Sequence, residues 1–439
     1  MFNYNICINM KNKININARF DSFQEYSLYQ SLDNKSKNEI KDIGLEYKLT
    51  FQELKQITDM AVDFEMWEEP SIGILWKQYS KSLKKSNKLF NKTVLKSIKS
   101  NWISLKENKT KYERKNRRNY TSAARKLKEI DRDNEVFGMC PVASEKTVCC
   151  NLMTIDVAQG CGLGCSYCSI QTFYENGTIG IEKNLKDKLA EIDLDPNKNY
   201  HIGSGQSSDS LSLGNKNGIL DAQLEFATNN PNIILEFKTK SKNINYFLNV
   251  NTPKNIFISW SLNPQLFIDN EEARTASLIE RLNSARKLSD MGILVGFHFH
   301  PIVYYEGWEK DYNDLILILM DMFSPDEIGL ISFGTLTFIK PAIKSLRKVG
   351  TKSKILQIPF AEAAGKISYP MQTKKKIISK VWNSFTPWHD KVFFYFCMED
   401  RELWNHVFGK CYESNDEFES DLFNSIRAKL GLNDSIKTI

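Results

Sequence analysis

Residues 159–168 read Gln159-Gly160-Cys161-Gly162-Leu163-Gly164-Cys165-Ser166-Tyr167-Cys168, and this stretch decides the fold. Three thiolates with three and two residues between them can bind three irons of a 4Fe–4S cluster and leave the fourth iron open. The glycines between them let the backbone fold closely round such a cluster. A structural zinc site is the alternative, but zinc takes four closed ligands. No further Cys or His occurs within thirty residues downstream, so the pattern favours an open iron–sulfur cluster.

The composition describes an ordinary globular protein that works in a reducing compartment. The chain has 439 residues, enough for two or three domains. Its nine cysteines come without a recognisable secretory signal, which argues against a disulfide scaffold. We find no apolar run long enough to span a bilayer. We therefore expect a cytoplasmic protein that does not bind membranes.

A basic segment precedes the cysteine stretch. Residues 77–128 contain eighteen Lys or Arg and two acidic residues, and apolar residues recur at helical spacing from residue 21 to about residue 128. We predict a helical arm in which Lys77–Lys128 binds nucleic acid. Interleaved aromatic residues such as Trp76 and Trp102, and the cluster from Lys111 to Arg118, favour this interpretation. The alternative is two or three helices with a solvated basic face.

The pattern changes at Asn151, where short apolar runs begin to alternate with amphipathic segments. This alternation is typical of α/β folds with parallel strands. One helical stretch runs from Ser277 to Met291. From residue 341 onward we expect a basic loop (Lys340 to Lys354), a strand at Val392–Cys397 and a closing helix from Glu417. The six candidate strands are Leu152–Val157, Tyr200–Gly203, Ile233–Thr239, Ile256–Ser261, Leu294–Phe299 and Ile328–Gly334.

These elements predict three regions and place the chemistry in the second. Residues 1–130 form the basic helical extension, residues 131–340 a partial (β/α)6 barrel, and residues 341–439 a small α+β region that completes the substrate side. In barrels of parallel strands, chemistry gathers on loops at the carboxyl ends of the strands. The cysteine stretch follows the first candidate strand, as that rule requires.

Polar side chains follow the later strands as well. The second strand ends in Gly203-Ser204-Gly205-Gln206-Ser207-Ser208-Asp209-Ser210, which is either a ligand-binding turn or an ordinary polar turn. Lys240 follows the third strand and can pair with a carboxylate, unless it is merely solvated. Ser261 and Asn263 share one face at the end of the fourth strand. His298 and His300 share one face of the fifth, as substrate-site groups, structural histidines or a zinc pair.

Of the six cysteines outside the central stretch, five follow residue 130. Cys140, Cys149 and Cys150 precede the first strand, and the other two, Cys397 and Cys411, lie in the C-terminal region. Their spacing is not compact, so we interpret most of them as buried thiols. A second cluster is the alternative. One of them can also act as a hydrogen-atom donor, because a thiol gives hydrogen readily to a carbon radical.

The cysteine stretch resembles the radical SAM superfamily, including the aromatic Tyr167 before the third cysteine. In that superfamily the open iron chelates the amino and carboxylate groups of S-adenosylmethionine. An electron from the cluster then splits this molecule into methionine and a 5′-deoxyadenosyl radical. The resemblance implies Cys161, Cys165 and Cys168 as cluster ligands. It also implies that Ser204 to Gln206 meet the methionine amino group and that a reductant such as flavodoxin or ferredoxin supplies electrons.

Further motifs resemble the spore photoproduct lyase family, over roughly residues 151–340 and a C-terminal fragment. They are Cys168-Ser169-Ile170-Gln171-Thr172, Trp260-Ser261-Leu262-Asn263-Pro264, Thr275-Ala276-Ser277, Gly296-Phe297-His298-Phe299 and Glu306-Gly307-Trp308. Lyases of that family repair a thymine–thymine crosslink in ultraviolet-damaged DNA. The resemblance implies S-adenosylmethionine contacts at Ser208, Asp209, Lys240 and Ser261. A damaged base in a duplex would have to be extruded to reach the radical.

The sequence departs from the family pattern at two positions. Gln206 stands where the lyases have the cysteine that returns hydrogen, and Ser169 stands where a tyrosine is expected. Both changes affect the return of hydrogen and leave cleavage of S-adenosylmethionine intact. We therefore expect a related enzyme that repairs the dinucleotide photoproduct poorly. If a substitute donor exists, the candidates are Cys397, Cys140 and Tyr167.

Two other functions remain open from the sequence. The first is a radical SAM enzyme that modifies RNA, a peptide or a small molecule. The second is a nucleic-acid-binding protein whose cluster is structural only. Cleavage of S-adenosylmethionine by the reduced protein separates the enzymes from the binding protein.

Overall fold

The structure is a computed structural model, and it describes residues 20–81, 83, 89–114, 126–132, 136–140, 147–174, 177–363 and 365–432. Among these residues, no helix is both long and apolar enough to cross a membrane. The predicted cluster from Lys111 to Arg118 lies partly outside the described residues, since the description stops at Arg114 and resumes at Lys126. Contacts divide the chain into two compact units, which are described separately below.

The described helices are α1 Ser27–Ser31, α2 Asn34–Glu46, α3 Phe51–Met66, α4 Ile72–Ser80, α5 Phe90–Glu107, α6 Leu185–Ala190, α7 Ile219–Asn229, α8 Gln265–Glu271, α9 Leu278–Ser289, α10 Trp308–Met322, α11 Lys340–Val349, α12 Met371–Ser384, α13 Arg401–Phe408 and α14 Asn415–Lys429. The described strands are β1 Lys126–Ile130, β2 Phe137–Met139, β3 Met153–Ile155, β4 Ala158–Gln159, β5 Thr178–Glu182, β6 Tyr200–Ser204, β7 Ile233–Thr239, β8 Ile256–Ser261, β9 Val295–Ile302, β10 Ile328–Thr335, β11 Thr337–Phe338, β12 Ala361–Ala363, β13 Lys366–Ser368 and β14 Phe393–Phe396.

The first unit is helical and contains residues up to 111 together with residues 339–359. Helix α3 begins with a capping box in which Thr50 and Glu53 satisfy each other's backbone N–H groups. It ends at Met66, four residues before Pro70. Its apolar face, including Ile57 and Phe64, packs into the core of this unit.

The aromatic residues of the basic segment belong to this core. Trp76 is 2% exposed. The indole N–H of the partly buried Trp102 donates to the carboxylate of Asp63 at 2.9 Å. Trp76 is therefore a core residue of this unit, and the indole of Trp102 is bonded to the buried Asp63. Lys92, Lys96 and Lys99 of α5 are exposed at helical spacing, so a basic face remains.

A segment from the second half of the chain completes the first unit. The predicted basic loop at Lys340 to Lys354 instead begins with helix α11, which ends at the left-handed Gly350. Arg347 of this helix donates from Nε to the buried carboxylate of Asp63 at 2.8 Å. The backbone N–H of Ser353 donates to the carbonyl of Met66 at 2.7 Å. These bonds hold the segment against helix α3.

The second unit is built on an eight-stranded sheet with the order β14-β10-β9-β8-β7-β6-β3-β2. All neighbours are parallel except β2 and β3. The six central strands are those predicted from the apolar runs, and the predicted C-terminal strand appears as β14. The sheet curls into a partial barrel, so the predicted α/β fold class is confirmed. Its interior is buried because β8 and β10 are covered on both faces.

Helices cover the outside of the sheet, as the crossover rule for parallel strands requires. Helix α9 begins at Ser277 with a capping box to Glu280, within one residue of the predicted start. Helix α14 begins two residues before the predicted Glu417. The prediction of a helix at residues 126–130 is wrong, because these residues form strand β1, which is parallel to β5. A small sheet, β11-β13-β12, joins β11 at the end of the barrel region to two strands of the C-terminal region.

Candidate functional site

A cavity of about 650 Å³ lies within the second unit at the carboxyl ends of the central strands. The cysteine loop after β4, the turn after β6 and the end of β7 form most of its lining. Tyr395 of β14 and Cys397, the residue after this strand, line it from the far edge of the sheet. The structure therefore places most of the predicted site residues around a single space, as expected at this end of a parallel barrel.

Backbone geometry explains the glycines of the cysteine loop. Gly160 has φ +88° and Gly164 has φ +66°, values that favour glycine. A Cβ at Gly160 would also lie 2.9 Å from the carbonyl oxygen of Thr178. The loop can therefore turn tightly enough for Cys161, Cys165 and Cys168 to line the cavity.

A second segment, residues 271–274 at the end of α8, holds the cysteine loop in place. The backbone N–H of Ser166 donates to the carbonyl of Glu271 at 2.9 Å, and its hydroxyl donates to the Glu271 carboxylate. The N–H of Arg274 donates to the carbonyl of Leu163 at 3.0 Å. Cys165 and Glu272 form an isolated antiparallel bridge. These contacts hold the backbone of the loop on both sides of Cys165 and at Cys165 itself.

A buried carboxylate, Glu272, connects this support to the cavity. It accepts a hydrogen bond from the Tyr167 hydroxyl at 2.6 Å and forms an ion pair with the buried Arg281. Lys240 lies 4.0 Å from the same carboxylate. Burial alone would raise the pKa of Glu272, but the charges of Arg281 and Lys240 lower it to about 2. Tyr167 is held by this network and stacks on Phe267 with ring centroids 5.7 Å apart.

Sequence reasoning missed Glu271, Glu272 and Arg281. The two glutamates end a short helix, and two glutamates at a helix end usually face solvent. Arg281 lies on α9 among ordinary amphipathic residues and is 0% exposed. The only available signal was the Thr275-Ala276-Ser277 motif, which separates the two groups in the chain.

The turn after β6 presents unpaired polar atoms to the cavity. Gly205 has φ +76°, and a Cβ there would lie 2.7 Å from the Ser210 hydroxyl. In the part of the chain that the structure describes, the hydroxyls of Ser204 and Ser208 and the amide oxygen of Gln206 are buried without a hydrogen-bond partner. Buried polar groups normally have partners. Three unpaired groups on residues that line one cavity therefore make this turn a candidate site for a polar ligand.

Asp209 has a different role from its neighbours in the turn. Its Oδ1 accepts hydrogen bonds from the backbone N–H groups of Leu211 (3.1 Å) and Ser212 (2.8 Å) and from the hydroxyl of Thr239 (2.8 Å). Its Oδ2 accepts from the backbone N–H of Lys240 at 2.7 Å. The carboxylate thus ties the turn after β6 to the end of β7. Asp209 positions Lys240 and the turn.

The residues after β8 divide into two groups. Ser261 lines the cavity, and its carbonyl accepts from Arg281 at 2.8 Å. Asn263 is 0% exposed, and its amide bonds with the Tyr312 hydroxyl (2.9 Å) and the Glu272 carboxylate (3.3 Å). Although the two residues share one face in the sequence pattern, Asn263 is not part of the cavity lining and packs behind it.

The two predicted histidines belong to a buried polar chain inside the barrel. His298 lines the cavity, but its Nε2 pairs with the Glu236 carboxylate at 2.6 Å and its Nδ1 with the Ser332 hydroxyl at 2.5 Å. His300 contacts the same hydroxyl at 3.0 Å and is not part of the cavity lining. Burial and the charge of Lys238 lower the pKa of His298 to about 4. Both rings are therefore neutral at pH 7, and both nitrogens of His298 are engaged.

Four further thiols line the cavity: Cys140, Cys149, Cys150 and Cys397. The sequence pattern predicts mainly buried thiols, yet all four are only half-buried. Within the described ranges, no three His, Cys, Asp or Glu side chains converge closely enough to hold a single metal ion. A zinc site at His298 and His300 is therefore not found in the described structure.

Comparison with known proteins matches this site and fold to one family. The model of the spore photoproduct lyase family matches residues 143–376, which include the cysteine loop and every strand from β3 to β10. This chain belongs to the spore photoproduct lyase family. The resemblance expected from the motifs is thereby confirmed.

Individual members of the spore photoproduct lyase family are distant relatives. The spore photoproduct lyase of Clostridium acetobutylicum is 28% identical over 179 residues, which cover 40% of this chain and 53% of the relative. The lyase of a Geobacillus species is 26% identical over 208 residues, covering 46% and 61%. The chain thus spans about half to three fifths of the length of these relatives.

Solved structures of spore photoproduct lyases share the fold. A mutant lyase with bound AdoMet and dinucleoside spore photoproduct superimposes with a TM-score of 0.53, at 22% identity over 62% of this chain and 82% of the lyase chain. A lyase complexed with the dinucleoside photoproduct gives a TM-score of 0.52 at 22% identity, over the same shares of the two chains. This similarity supports the partial barrel described above.

Proposed function

We propose that this protein is a radical SAM enzyme that reductively cleaves S-adenosylmethionine and acts on a nucleic-acid lesion of the thymine photoproduct kind. One observation carries the proposal: Cys161, Cys165 and Cys168 share a cavity with the three unpaired polar groups of Ser204, Gln206 and Ser208. A cluster with an open iron and a polar cosubstrate both need places in one space. The cavity provides both.

The residues fit the cluster. Three thiolates of a 4Fe–4S cluster bind three different irons, so they need not converge on one point. The cysteine loop offers three thiols and is supported by the segment at residues 271–274. When bound, the cluster and S-adenosylmethionine supply a 5′-deoxyadenosyl radical. The protein's task is to hold the two together and to admit the substrate.

The residues also fit S-adenosylmethionine. We assign the contacts with its amino and carboxylate groups to Ser204, Gln206 and Ser208, whose buried polar atoms have no other partner in the described structure. Lys240 reaches the same cavity from β7, where its ammonium can pair with a carboxylate as a point charge. Ser261 lines the same space. Asp209 and Glu272 act indirectly. Asp209 fixes the backbone of the turn and of Lys240, and Glu272 pairs with the charges of Lys240 and Arg281.

The substrate assignment is supported by the relatives, which are named as spore photoproduct lyases, and by the solved structure of a spore photoproduct lyase complexed with a dinucleoside photoproduct. The basic segment Lys77–Lys128 would supply a grip on nucleic acid that does not depend on sequence. Its exposed lysines Lys92, Lys96 and Lys99 lie on one face of α5. A one-electron donor of the flavodoxin or ferredoxin class is required to reduce the cluster.

The test is anaerobic reconstitution followed by reduction with S-adenosylmethionine. We expect about four irons and four sulfides per chain and formation of 5′-deoxyadenosine. Ultraviolet-irradiated DNA should raise this rate above the substrate-free rate, whereas irradiated RNA and undamaged DNA should not. A protein that binds iron but forms no 5′-deoxyadenosine would be a binding protein with a structural cluster, and the proposal would be wrong.

A further inference from the structure

The two edges of the curled sheet bring four thiols together. Cys140 follows β2 and Cys397 follows β14, and these strands stand at opposite ends of the strand order. Cys149 and Cys150 precede β3. Nevertheless, Cys150 interacts electrostatically with each of the other three thiols. The edges of the sheet therefore approach each other at this thiol group, which lines the same cavity as the cysteine loop.

We propose that Cys397 returns a hydrogen atom to the radical left on the substrate, in place of the cysteine that residue 206 lacks. The inference rests on the proposed function and adds a residue role to it. Gln206 has only amide N–H and aliphatic C–H hydrogens, whose bonds are stronger than a thiol S–H bond. Cys397 is a thiol in the same cavity as Gln206.

Position favours Cys397 within the thiol group. Tyr395 of β14 and Cys397, the residue after the strand, both line the cavity. The backbone N–H of Cys397 donates to the carbonyl of Phe333 on β10 at 2.9 Å. Cys397 lies at the carboxyl end of its strand, at the level where the other site residues gather. The backbone N–H of Cys140 instead pairs with the carbonyl of Leu152, at the amino end of β3. Cys140 therefore lies beside the amino end of β3.

Protonation also favours Cys397, because a hydrogen-atom donor must carry its hydrogen. Burial raises the pKa of Cys397 to about 12, despite the nearby charge of Lys238. A hydrogen bond between Cys149 and Cys150 lowers the pKa of Cys149 to about 6 and, together with burial, raises the pKa of Cys150 well above its usual value. Cys397 takes no part in that bond and keeps its hydrogen at neutral pH.

The step balances as follows. The substrate carbon radical takes the hydrogen atom from Sγ of Cys397, so a C–H bond forms and the S–H bond breaks. The sulfur is left as a thiyl radical. One electron from a reductant of the flavodoxin or ferredoxin class, together with one proton from water, restores the thiol. Each turnover then consumes one electron for the cleavage of S-adenosylmethionine and one for the thiol.

The test uses the reconstituted full-length protein, the dinucleotide photoproduct as probe, and D2O buffer. Thiol hydrogens exchange with solvent, so the wild-type protein should yield product with one deuterium at the quenched carbon. Cys397→Ala and Cys397→Ser should still form 5′-deoxyadenosine but lose most of this product, at least tenfold, in favour of adducts of the unquenched radical. Cys411→Ala is the matched control, because Cys411 is a half-buried thiol outside the cavity.

A second measurement does not depend on turnover. Alkylation of Cys397 in the reconstituted protein, followed by peptide mapping, should be slowed by the dinucleotide, while alkylation of Cys411 should be unchanged. Deuterated product at the wild-type yield from both Cys397 variants would overturn the inference, and so would loss of label in Cys140→Ala or Cys150→Ala alone. If no product forms although 5′-deoxyadenosine does, the substrate assignment fails and the inference falls with it.

Discussion

Asp209→Asn separates a residue that positions the site from one that contacts the ligand. The carboxylate of Asp209 accepts four hydrogen bonds, three of them from backbone N–H groups. An asparagine can keep the three bonds to Oδ1 through its amide oxygen. Its amide NH2 would then face the backbone N–H of Lys240, which is also a donor. One charge-assisted bond is lost and two donors oppose each other.

The expected magnitude follows from this geometry. A hydrogen bond to a charged group contributes about 1.5–3 kcal/mol, so Asp209→Asn should lower the free energy of unfolding by about that amount. Asp209→Ala, which leaves all four donors without an acceptor, should cost at least twice as much. If the loss falls on the position of Lys240, binding of S-adenosylmethionine weakens about tenfold to hundredfold, since each 1.4 kcal/mol is a factor of about ten.

Two assays are needed, and their relation is decisive. Urea unfolding of the reconstituted protein gives the stability, and equilibrium dialysis gives the affinity for S-adenosylmethionine. Asp221→Asn is the matched control, because Asp221 is an exposed, hydrogen-bonded aspartate outside the cavity; it should change the stability by less than about 0.5 kcal/mol. Weaker binding by Asp209→Asn at unchanged stability would mean that the carboxylate contacts the ligand directly, and the positioning argument would be refuted.

Three other outcomes are expected. Cys165→Ala should abolish formation of 5′-deoxyadenosine, and any surviving activity contradicts the cluster assignment. If the basic arm neutralises about five phosphates, the log–log slope of duplex affinity against salt should be about −4.5. Replacing Lys92, Lys96 and Lys99 by Gln should make that slope shallower by up to about 2.7. The same change at the exposed barrel lysines Lys216, Lys254 and Lys287 should leave the slope unchanged. An equal change in slope for both sets would mean that the arm is only a solvated basic surface. Iodoacetamide labelling of Cys149 should rise through about pH 6, because Cys150 stabilises its thiolate. Labelling of Cys411, whose pKa burial raises, should stay slow at pH 7, and identical profiles for the two thiols would contradict the paired-thiol geometry.

The sequence predicts the barrel well because its strands are buried on both faces. Runs such as Ile256–Ser261 and Ile328–Thr335 have few polar residues to interrupt them, so their limits are visible in the apolar pattern. The cysteine loop is equally visible, because chemistry fixes its spacing. Strand β1 was mistaken for helix because it is short, Lys-rich and mostly exposed, and only its pairing with β5 makes it a strand.

Contacts between distant residues are what the sequence could not reveal. Asn263 looked like a cavity residue because it alternates with Ser261, but the chain leaves the strand after Ser261 and turns Asn263 toward Tyr312. The thiol group was equally hidden. Cys140 and Cys397 are far apart in the chain and meet only because the sheet curls. The pattern of residues along the sequence does not indicate how strongly the eight-stranded sheet curls.

The ion pair between Asp63 and Arg347 has a consequence for biosynthesis. The two residues are 284 positions apart, and most of the barrel is encoded between them. At about 5–20 residues per second, a ribosome needs roughly 15–60 s to reach Arg347 after Asp63 has been made. During that time the N-terminal helices lack both the guanidinium and the helix α11 that complete their core. The nascent chain therefore exposes a half-built helical unit while the barrel is being translated, and this interval is when a chaperone or a protease would meet it.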